Sequence, residues 1–285
     1  MKKLVGSLLS LLAVVLIGGF AAAALVRFSP GFDVDENSWN PKISAATRQV
    51  IHARRARENR LPQFYLHYLQ AALHGDLGQS DSLNAPVTEL LRERAPVTVR
   101  LIALGTSGGL LLGGLLAWVA VWPRRAGAEI AATTFSGLLM AIPPAVLALA
   151  FFFGEAPLWL AIAVALLPRV FGTMRALLDQ LYSSPALLAA RARGASPAVL
   201  AWRYVALPAL PQFMALAGVT LALGFGAIIP IEALCDVPGV GQLFWKAALA
   251  RDLTLLCGLG LIITFVIAAV QSATDLVAAG LMAGD

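Results

Sequence analysis

The sequence predicts an all-α integral membrane protein of about six transmembrane helices, with a pair of short cytoplasmic helices and a small external segment after the first span. Three observations carry that reading. Of 285 residues, 59% are apolar and only 13% charged, with a mean hydropathy of +0.79, whereas soluble domains sit at about 45–50% apolar and 25% charged. Several uncharged runs reach the roughly 20 residues that one helical crossing requires. Lys and Arg gather at the ends of these runs on one side, as short cytoplasmic connections demand. A water-soluble globular enzyme is excluded by composition.

The spans follow in chain order. Leu4–Val26, Leu101–Pro123, Ile130–Gly154, Tyr204–Ile231 and Leu253–Thr274 contain no Asp, Glu, Lys or Arg. Each is longer than a buried core helix needs to be. Ala156–Pro168 becomes a crossing if it continues through Arg169 to Met174, because an Arg near a helix end can extend its guanidinium to the headgroups. The first run outlasts the apolar region of a secretory signal, which favours a retained anchor over a cleaved leader. This divides the chain into a first transmembrane helix (1–26), an external segment (27–97) and a five-helix membrane domain (98–285) that contains a cytoplasmic loop at 176–207.

An amino terminus in the cytoplasm places Lys2, Lys3, Arg124, Arg125, Arg169, Arg175, Arg191, Arg193 and Arg203 inside, with only Lys246 and Arg251 in the short outer connections. Both termini are then cytoplasmic. This distribution explains much of the net charge of +5, further basic residues lie in the external segment, and no aromatic-interleaved basic platform for nucleic acid is present. Cys235 and Cys257 form no metal motif or disulfide framework and read as core residues. His67 and His74 could share a helix face, but with His52 as the only other histidine they make no convincing metal set.

In the external segment, Ser44–Asn59 and Pro62–His74 are expected to be short helices, the second with an apolar-aromatic face from Phe64, Tyr65, Tyr68 and Leu69. Gly75-Asp76-Leu77-Gly78 punctuates the chain, and Ala85–Pro96 leads into the second span. The cytoplasmic loop is more informative. Ser184-Pro185 and Ser196-Pro197 each set a hydroxyl cap before a proline suited to the first helical position, and Gly194 stands where a left-handed terminus is needed. Two short helices are expected, Pro185 to Arg193 and Pro197 to about Tyr204. Arg191 and Arg193 fall in the last turn of the first, where cations offset the helix dipole. Paired caps around the small apolar stretch 186–190 describe a compact docking surface.

These residues resemble the inner-membrane permeases of ABC importers, in particular the dipeptide/oligopeptide/nickel permease family and its B-type subunit. Ala190-Arg191-Ala192-Arg193-Gly194-Ala195-Ser196, followed by Pro197, is similar to that family's cytoplasmic EAA loop. Glu232, Pro238-Gly239-Val240-Gly241, Leu243, Ala247 and Arg251-Asp252 follow the family's order further on. Upstream, Gln63, Tyr65, Leu69, Gly75-Asp76-Leu77-Gly78, Ser80, Pro86-Val87, Pro96 and Thr98 match its first half. The chain departs from the family at Pro185 and Ala186, which replace a usual acidic residue and tyrosine, and in a short connection at Gly154–Pro157.

The resemblance implies a complex of two permease subunits, two cytoplasmic ATP-binding subunits and an extracytoplasmic solute-binding protein in a bacterial inner membrane, importing peptides or related solutes, or nickel or a metal chelate. Ala190, Arg191, Arg193, Gly194, Ser196 and Pro197 would couple to the ATPases. Gly75, Asp76, Glu232, Pro238, Gly239, Gly241, Arg251 and Asp252 would belong to the binding-protein side. No cofactor or metal is expected on this chain and no catalytic residue; without a G-x-x-x-x-G-K-[ST] loop, ATP and Mg belong to the partner subunits.

Within the membrane, Gly105, Gly109 and Gly113 make a small-residue face that serves packing or hinging, and Pro143-Pro144, Pro208, Pro211 and Pro230 mark bends. Asp275 is the carboxylate deepest in apolar sequence, with Arg124 or Arg203 as candidate partners. Two alternative functions are open to such a chain. An intramembrane serine protease could use Ser107 in Gly105-Thr106-Ser107-Gly108-Gly109, but every histidine precedes residue 75. An autonomous channel or secondary transporter would place more polar groups at mid-membrane.

Overall fold

The computed structural model describes residues 13–21, 24, 28, 61–121 and 126–282. Residues 13–21 are helical. After them come α1 (Leu61–Leu73), a two-stranded antiparallel hairpin of β1 (Gln79–Ser80) and β2 (Ala85–Pro86), α2 (Val87–Val121), α3 (Ala126–Met140), α4 (Pro144–Phe153), α5 (Leu158–Tyr182) and α6 (Pro185–Ala192). The chain continues as α7 (Pro197–Leu234), α8 (Val240–Leu249) and α9 (Leu253–Met282). Four of these, α2, α5, α7 and α9, are long and apolar enough to cross a membrane, and a fifth crossing results if the bent pair α3–α4 is one span. The predicted span Leu4–Val26 is described only in part, and the predicted helix Ser44–Asn59, His52, Arg124 and Arg125 lie outside the described residues.

The bundle is built on α2 and α5, which run in the same direction. A Cβ at Gly105 would stand 2.6 Å from Ile162, one at Gly109 3.0 Å from Leu166, and one at Gly113 2.7 Å from Val170. Glycines four residues apart on α2 thus oppose branched or bulky residues four apart on α5, a ridge seated in a groove. Inside lipid such closeness matters because helices gain little from hiding apolar surface that the acyl chains already solvate. The small-residue face therefore serves packing.

Helix α7 returns antiparallel and crosses this pair where Gly224 faces Thr106 and Ile102 of α2 and Leu166 of α5. Helix α9 packs on α7 with Gly218 against Thr274. The core formed by Ile102, Ile162, Leu166, Ala227, Ile228 and Ile231 lies where α2, α5 and α7 meet. Residues 13–21 rest on α9 and α1: a Cβ at Gly18 would meet Thr264, one at Gly19 would meet Leu261 and Tyr65, and the Tyr65 hydroxyl donates to Leu16 O at 2.8 Å. Burial and the neighbouring Cys257 push the Tyr65 hydroxyl up to about 12, so it remains a donor through the physiological range.

Three elements differ from the sequence expectation. The run Ile130–Gly154 is not one straight helix, because its two halves meet at 93°. Pro143 is extended at φ −60, ψ 142 and caps α4, whose first residue is Pro144; a proline disfavours helix in the residue before it and lacks the N–H that would continue the ladder. Helix α2 begins at Val87 and carries Pro96 inside it, fourteen residues ahead of the boundary at Leu101 set by counting charges, since exposed Arg92, Glu93 and Arg100 end an apolar run without ending a helix. The helix expected to stop near Tyr204 instead passes through a π-helical stretch, Leu200–Ala206, into the span.

Gly109→Leu should drive a side chain into Leu166 and lower the yield of folded protein in the membrane, by an overpacking cost of about 1–3 kcal/mol or more. Gly114→Leu, on the same helix with nothing within 4 Å of its Cβ position, should leave the yield unchanged. Detergent-solubilised monodisperse protein measured for the two variants checks the packing.

Candidate functional site

Two polar ends flank the apolar bundle. At one end α5 finishes at Tyr182 and the chain turns through α6 into α7. The Ser184 hydroxyl accepts from Leu187 N–H at 3.4 Å, and the Ser196 hydroxyl accepts from Val199 N–H at 3.4 Å. Pro185 and Pro197 occupy the first helical positions. Gly194 closes α6 at φ +80, with its N–H on Arg191 O and Ala195 N–H on Ala190 O. Those bonds satisfy the carbonyls that a helix end leaves open.

Leu187 is buried under α6 in a cluster with Phe171, Leu178 and Val205, and Ala190 on the same helix is buried too. That anchoring turns Arg191, Arg193, Gly194, Ser196 and Pro197 outward, all exposed. Leu188, Val199 and Trp202 are also exposed, at 48%, 46% and 67%. The result is a cationic and apolar projection on a rigid base.

At the opposite end a fully buried Glu232 terminates α7. Its carboxyl group accepts from Thr98 Oγ1 at 2.7 Å, from Gly241 N–H at 2.6 Å and from Gln242 N–H at 3.3 Å. Thr98 Oγ1 in turn accepts from Val240 N–H at 2.7 Å. Orphan amides at the start of α8 are thereby satisfied by one side chain from α7 and one from α2, in the place where a helix favours an acidic group. A Cβ on Gly239 would lie 2.2 Å from the Glu232 carboxyl, and one on Gly241 2.9 Å from it. Both glycines are therefore required by the close approach.

Beside this node Asp252 caps α9. Its Oδ1 accepts from Leu255 N–H at 3.0 Å, while Oδ2 accepts from Ser80 Oγ at 2.6 Å, Ser82 Oγ at 2.8 Å and Ser82 N–H at 3.0 Å. The hairpin is thus tied to α9 through a buried carboxylate. Gly75 and Gly78 turn at φ +83 and +74, with Gly78 N–H on Asp76 Oδ1 at 2.8 Å. The Tyr68 hydroxyl donates to Leu77 O at 3.0 Å, and burial raises it well above the usual tyrosine value.

The sequence-selected residues at this end divide into two groups. Gly75, Asp76, Pro238 and Arg251 are exposed, whereas Glu232, Gly239, Gly241 and Asp252 are buried and shape the surface without presenting it. Thr98, Ser80, Ser82 and Gln242 complete the nodes, the last donating from Nε2 to Asp236 Oδ1 at 2.5 Å. Their roles were not legible in sequence, since each bonds a partner brought near only by the fold; a hydroxyl placed in or beside an apolar helical face, as Thr98 is, was the one available signal.

Asp275 is exposed on α9 and, among the described residues, neither Arg203 nor any other side chain pairs with it. Arg175 instead ties α5 to α3 through Glu129, with Thr133 accepting a second bond at 3.1 Å. Ser107 is exposed on α2, while His67 on α1 and His74 in the turn after it have Nδ1 on the carbonyls of Gln63 and Gln70. No described base serves Ser107. Among the described residues no group of three His, Cys, Asp or Glu gathers that could hold a metal, and Cys235 and Cys257 are buried and not in a disulfide.

Residues 109–282 match the family model of the inner-membrane component of binding-protein-dependent transport systems. The chain belongs to this family. It is 24% identical over 299 residues to a probable peptide ABC transporter permease of Sinorhizobium fredii, covering 91% of this chain and 93% of that one. It is 23% identical over 298 residues to the nickel import system permease NikB of Staphylococcus aureus, covering 96% and 89%. Among solved structures, inward-facing MetNI, a methionine ABC transporter, shares the fold with a TM-score of 0.58 at 18% identity, over 67% of this chain and 96% of that one. The protein is a multi-pass ABC importer permease subunit, and the protease and autonomous-transporter alternatives find no support. The Gly194 loop and, of the Glu232 node, Glu232, Val240, Gly241 and Gln242 lie within the matched segment, whereas Thr98 precedes it.

Glu232→Ala should leave the N–H groups of Gly241 and Gln242 and the Thr98 hydroxyl without an acceptor, at about 1–3 kcal/mol for each orphaned donor. Glu232→Gln, which keeps one acceptor oxygen, should lose less. The thermal midpoint of the purified permease should rise in the order Glu232→Ala, Glu232→Gln, wild type; equal midpoints would remove the node from the account of stability.

Proposed function

We propose that this permease subunit forms the translocation path of an ATP-driven importer for peptides or related small solutes, or for nickel or a metal chelate, together with a second permease subunit. Two cytoplasmic ATP-binding subunits drive it and an extracytoplasmic solute-binding protein delivers the solute. The capped, rigidly based loop at 184–197, with Arg191 and Arg193 projecting from it, is the single observation that carries the coupling role. The names of the relatives support the solute class. The loop faces the cytoplasm, both termini lie there, and the Glu232 and Asp252 end faces the binding protein in a bacterial inner membrane.

The chain itself catalyses nothing in this reading. The partner subunits bind ATP and Mg, and nucleotide-driven closure of the ATPase pair moves the loop as a rigid body. A loop that is capped at both helix starts and anchored by Leu187 and Ala190 transmits such a displacement without deforming. The two spans joined to it, α5 and α7, then change the side on which the path is open. At the far end the exposed Gly75, Asp76, Pro238 and Arg251 contact the loaded binding protein, held in place by the buried Glu232 and Asp252.

Gly194 tests the coupling role because a Cβ there meets nothing within 4 Å while its φ is +80. Gly194→Val therefore adds backbone strain and no clash, at least the roughly 1–2 kcal/mol that left-handed geometry costs an ordinary residue. Uptake by the assembled transporter should fall roughly tenfold, the equivalent of about 1.4 kcal/mol, with membrane abundance unchanged. Gly194→Asn, which tolerates this conformation, should retain most of it. Normal uptake by the Val variant would count against the coupling role. Separately, Arg191→Glu and Arg193→Glu should weaken copurification of the ATPase subunits, and undiminished copurification would take these side chains out of that interface.

A further inference from the structure

The stretch Leu200–Ala206 between the loop and span α7 is π-helical, with Leu207 N–H bonded to Trp202 O, five residues back. Such wide turns are uncommon and cluster at functional positions. Here the sequence explains it. Pro208 and Pro211 have no N–H, and in ordinary helical register the Pro208 ring would press on the carbonyl of Tyr204. The wide turn relieves that contact. The missing Pro208 donor orphans one carbonyl either way, Tyr204 O in the α register and Arg203 O in the π register, so the two registers differ little in hydrogen bonding.

The turn is also packed on one side only. Val205 is buried with Leu187 of α6 and Leu178 of α5, and Leu200 and Tyr204 pack at the margin of the same cluster. Ala201, Trp202, Arg203 and Ala206 are exposed. A shift of one residue would offer Tyr204 or Ala206 to the pocket in place of Val205, and neither brings a charge into it.

We propose that this turn is a register step: closing it from π to α advances and rotates the 185–199 loop relative to span α7 by one residue, about 1.5 Å and roughly 100°, and reopening it resets the loop. Pro208 is the positioning residue that holds the open register. The inference rests on the coupling role given to the loop, and it adds that the loop does not move with α7 as one rod. The span keeps its packing on α2 and α5 while the loop turns at its base, which draws Leu187 out of its place beside Phe171 and Leu178.

The assembled transporter, purified through a tag on this chain, tests it in two measurements made on the same sample. Spin labels on Ala198→Cys and Leu210→Cys, both exposed positions, bracket the turn; a photo-crosslinker at Arg193 reports contact with the ATPase subunit. Between the nucleotide-free and ATP-trapped states the label distance should change by at least ~3 Å, as a one-residue rotation of one label about the helix axis requires, while the crosslink persists. Deleting Ala201, which removes the extra residue of the wide turn and leaves the helices on either side in their nucleotide-free relation, should fix the nucleotide-free distance in both conditions and lower uptake at least tenfold with ATP hydrolysis retained. If that deletion does not assemble, Pro208→Ala should shift the nucleotide-free distance toward the trapped value. A label distance that is the same in both states, with the crosslink present, overturns the register step and leaves the coupling role standing. Absence of the crosslink in both states overturns the coupling role and the register step with it.

Discussion

Close approach between α2 and α5 is the constraint on which the remaining structure depends. Within hydrocarbon, apolar side chains gain little by leaving lipid for a neighbouring helix, so attraction comes from dispersion at short range. Gly105, Gly109 and Gly113 admit the ridge of Ile162, Leu166 and Val170, and any methyl group on that face would separate the axes. Helix α7 then lies across the pair at Gly224, α9 on α7 at Gly218, and α4 folds back against α5 and α7. Each later contact presupposes the first.

Polar chemistry is confined to the two ends of this apolar body. Backbone groups that helices leave open cannot be left to lipid, and here side chains close them: Ser184 and Ser196 at one end, Glu232 and Asp252 at the other. The two ends are built differently. Serine caps and a left-handed glycine make a turn that projects from the bundle on a small buried foot. Buried carboxyl groups bind three or four donors each and tie helices distant in sequence: Thr98 to Glu232 across 134 residues and Ser80 to Asp252 across 172. The first arrangement suits a part that is pushed, the second a part that holds its shape.

Prolines distribute the bends with different consequences according to context. Pro143-Pro144 break a span into two helices at 93°, because two consecutive rings remove two donors and force an extended residue between the halves. Pro168 and Pro230 are absorbed within α5 and α7. Pro208 and Pro211 follow the wide turn at the start of α7. The same residue type thus ends a helix, passes through one, or sits beyond a change of register, depending on whether neighbouring turns can shift their carbonyls.

Composition and the lengths of uncharged runs were enough to determine that the chain is a helical membrane protein and where α7 and α9 run, since hydrocarbon thickness demands those lengths of any spanning helix, while α5 needed the further step of carrying the helix past Arg169. The Gly194 loop was also legible to within a residue, because serine caps, first-position prolines and a left-handed glycine act through bonds no more than five residues apart. The fold alone decided the rest. Glu232 reads in sequence as one acidic residue after an apolar run, and only the arrival of α2 and α8 makes it a buried acceptor. The bend at Pro143 and the wide turn before Pro208 were likewise invisible to a charge count, because uncharged sequence states that a segment is apolar and says nothing of the path its backbone takes.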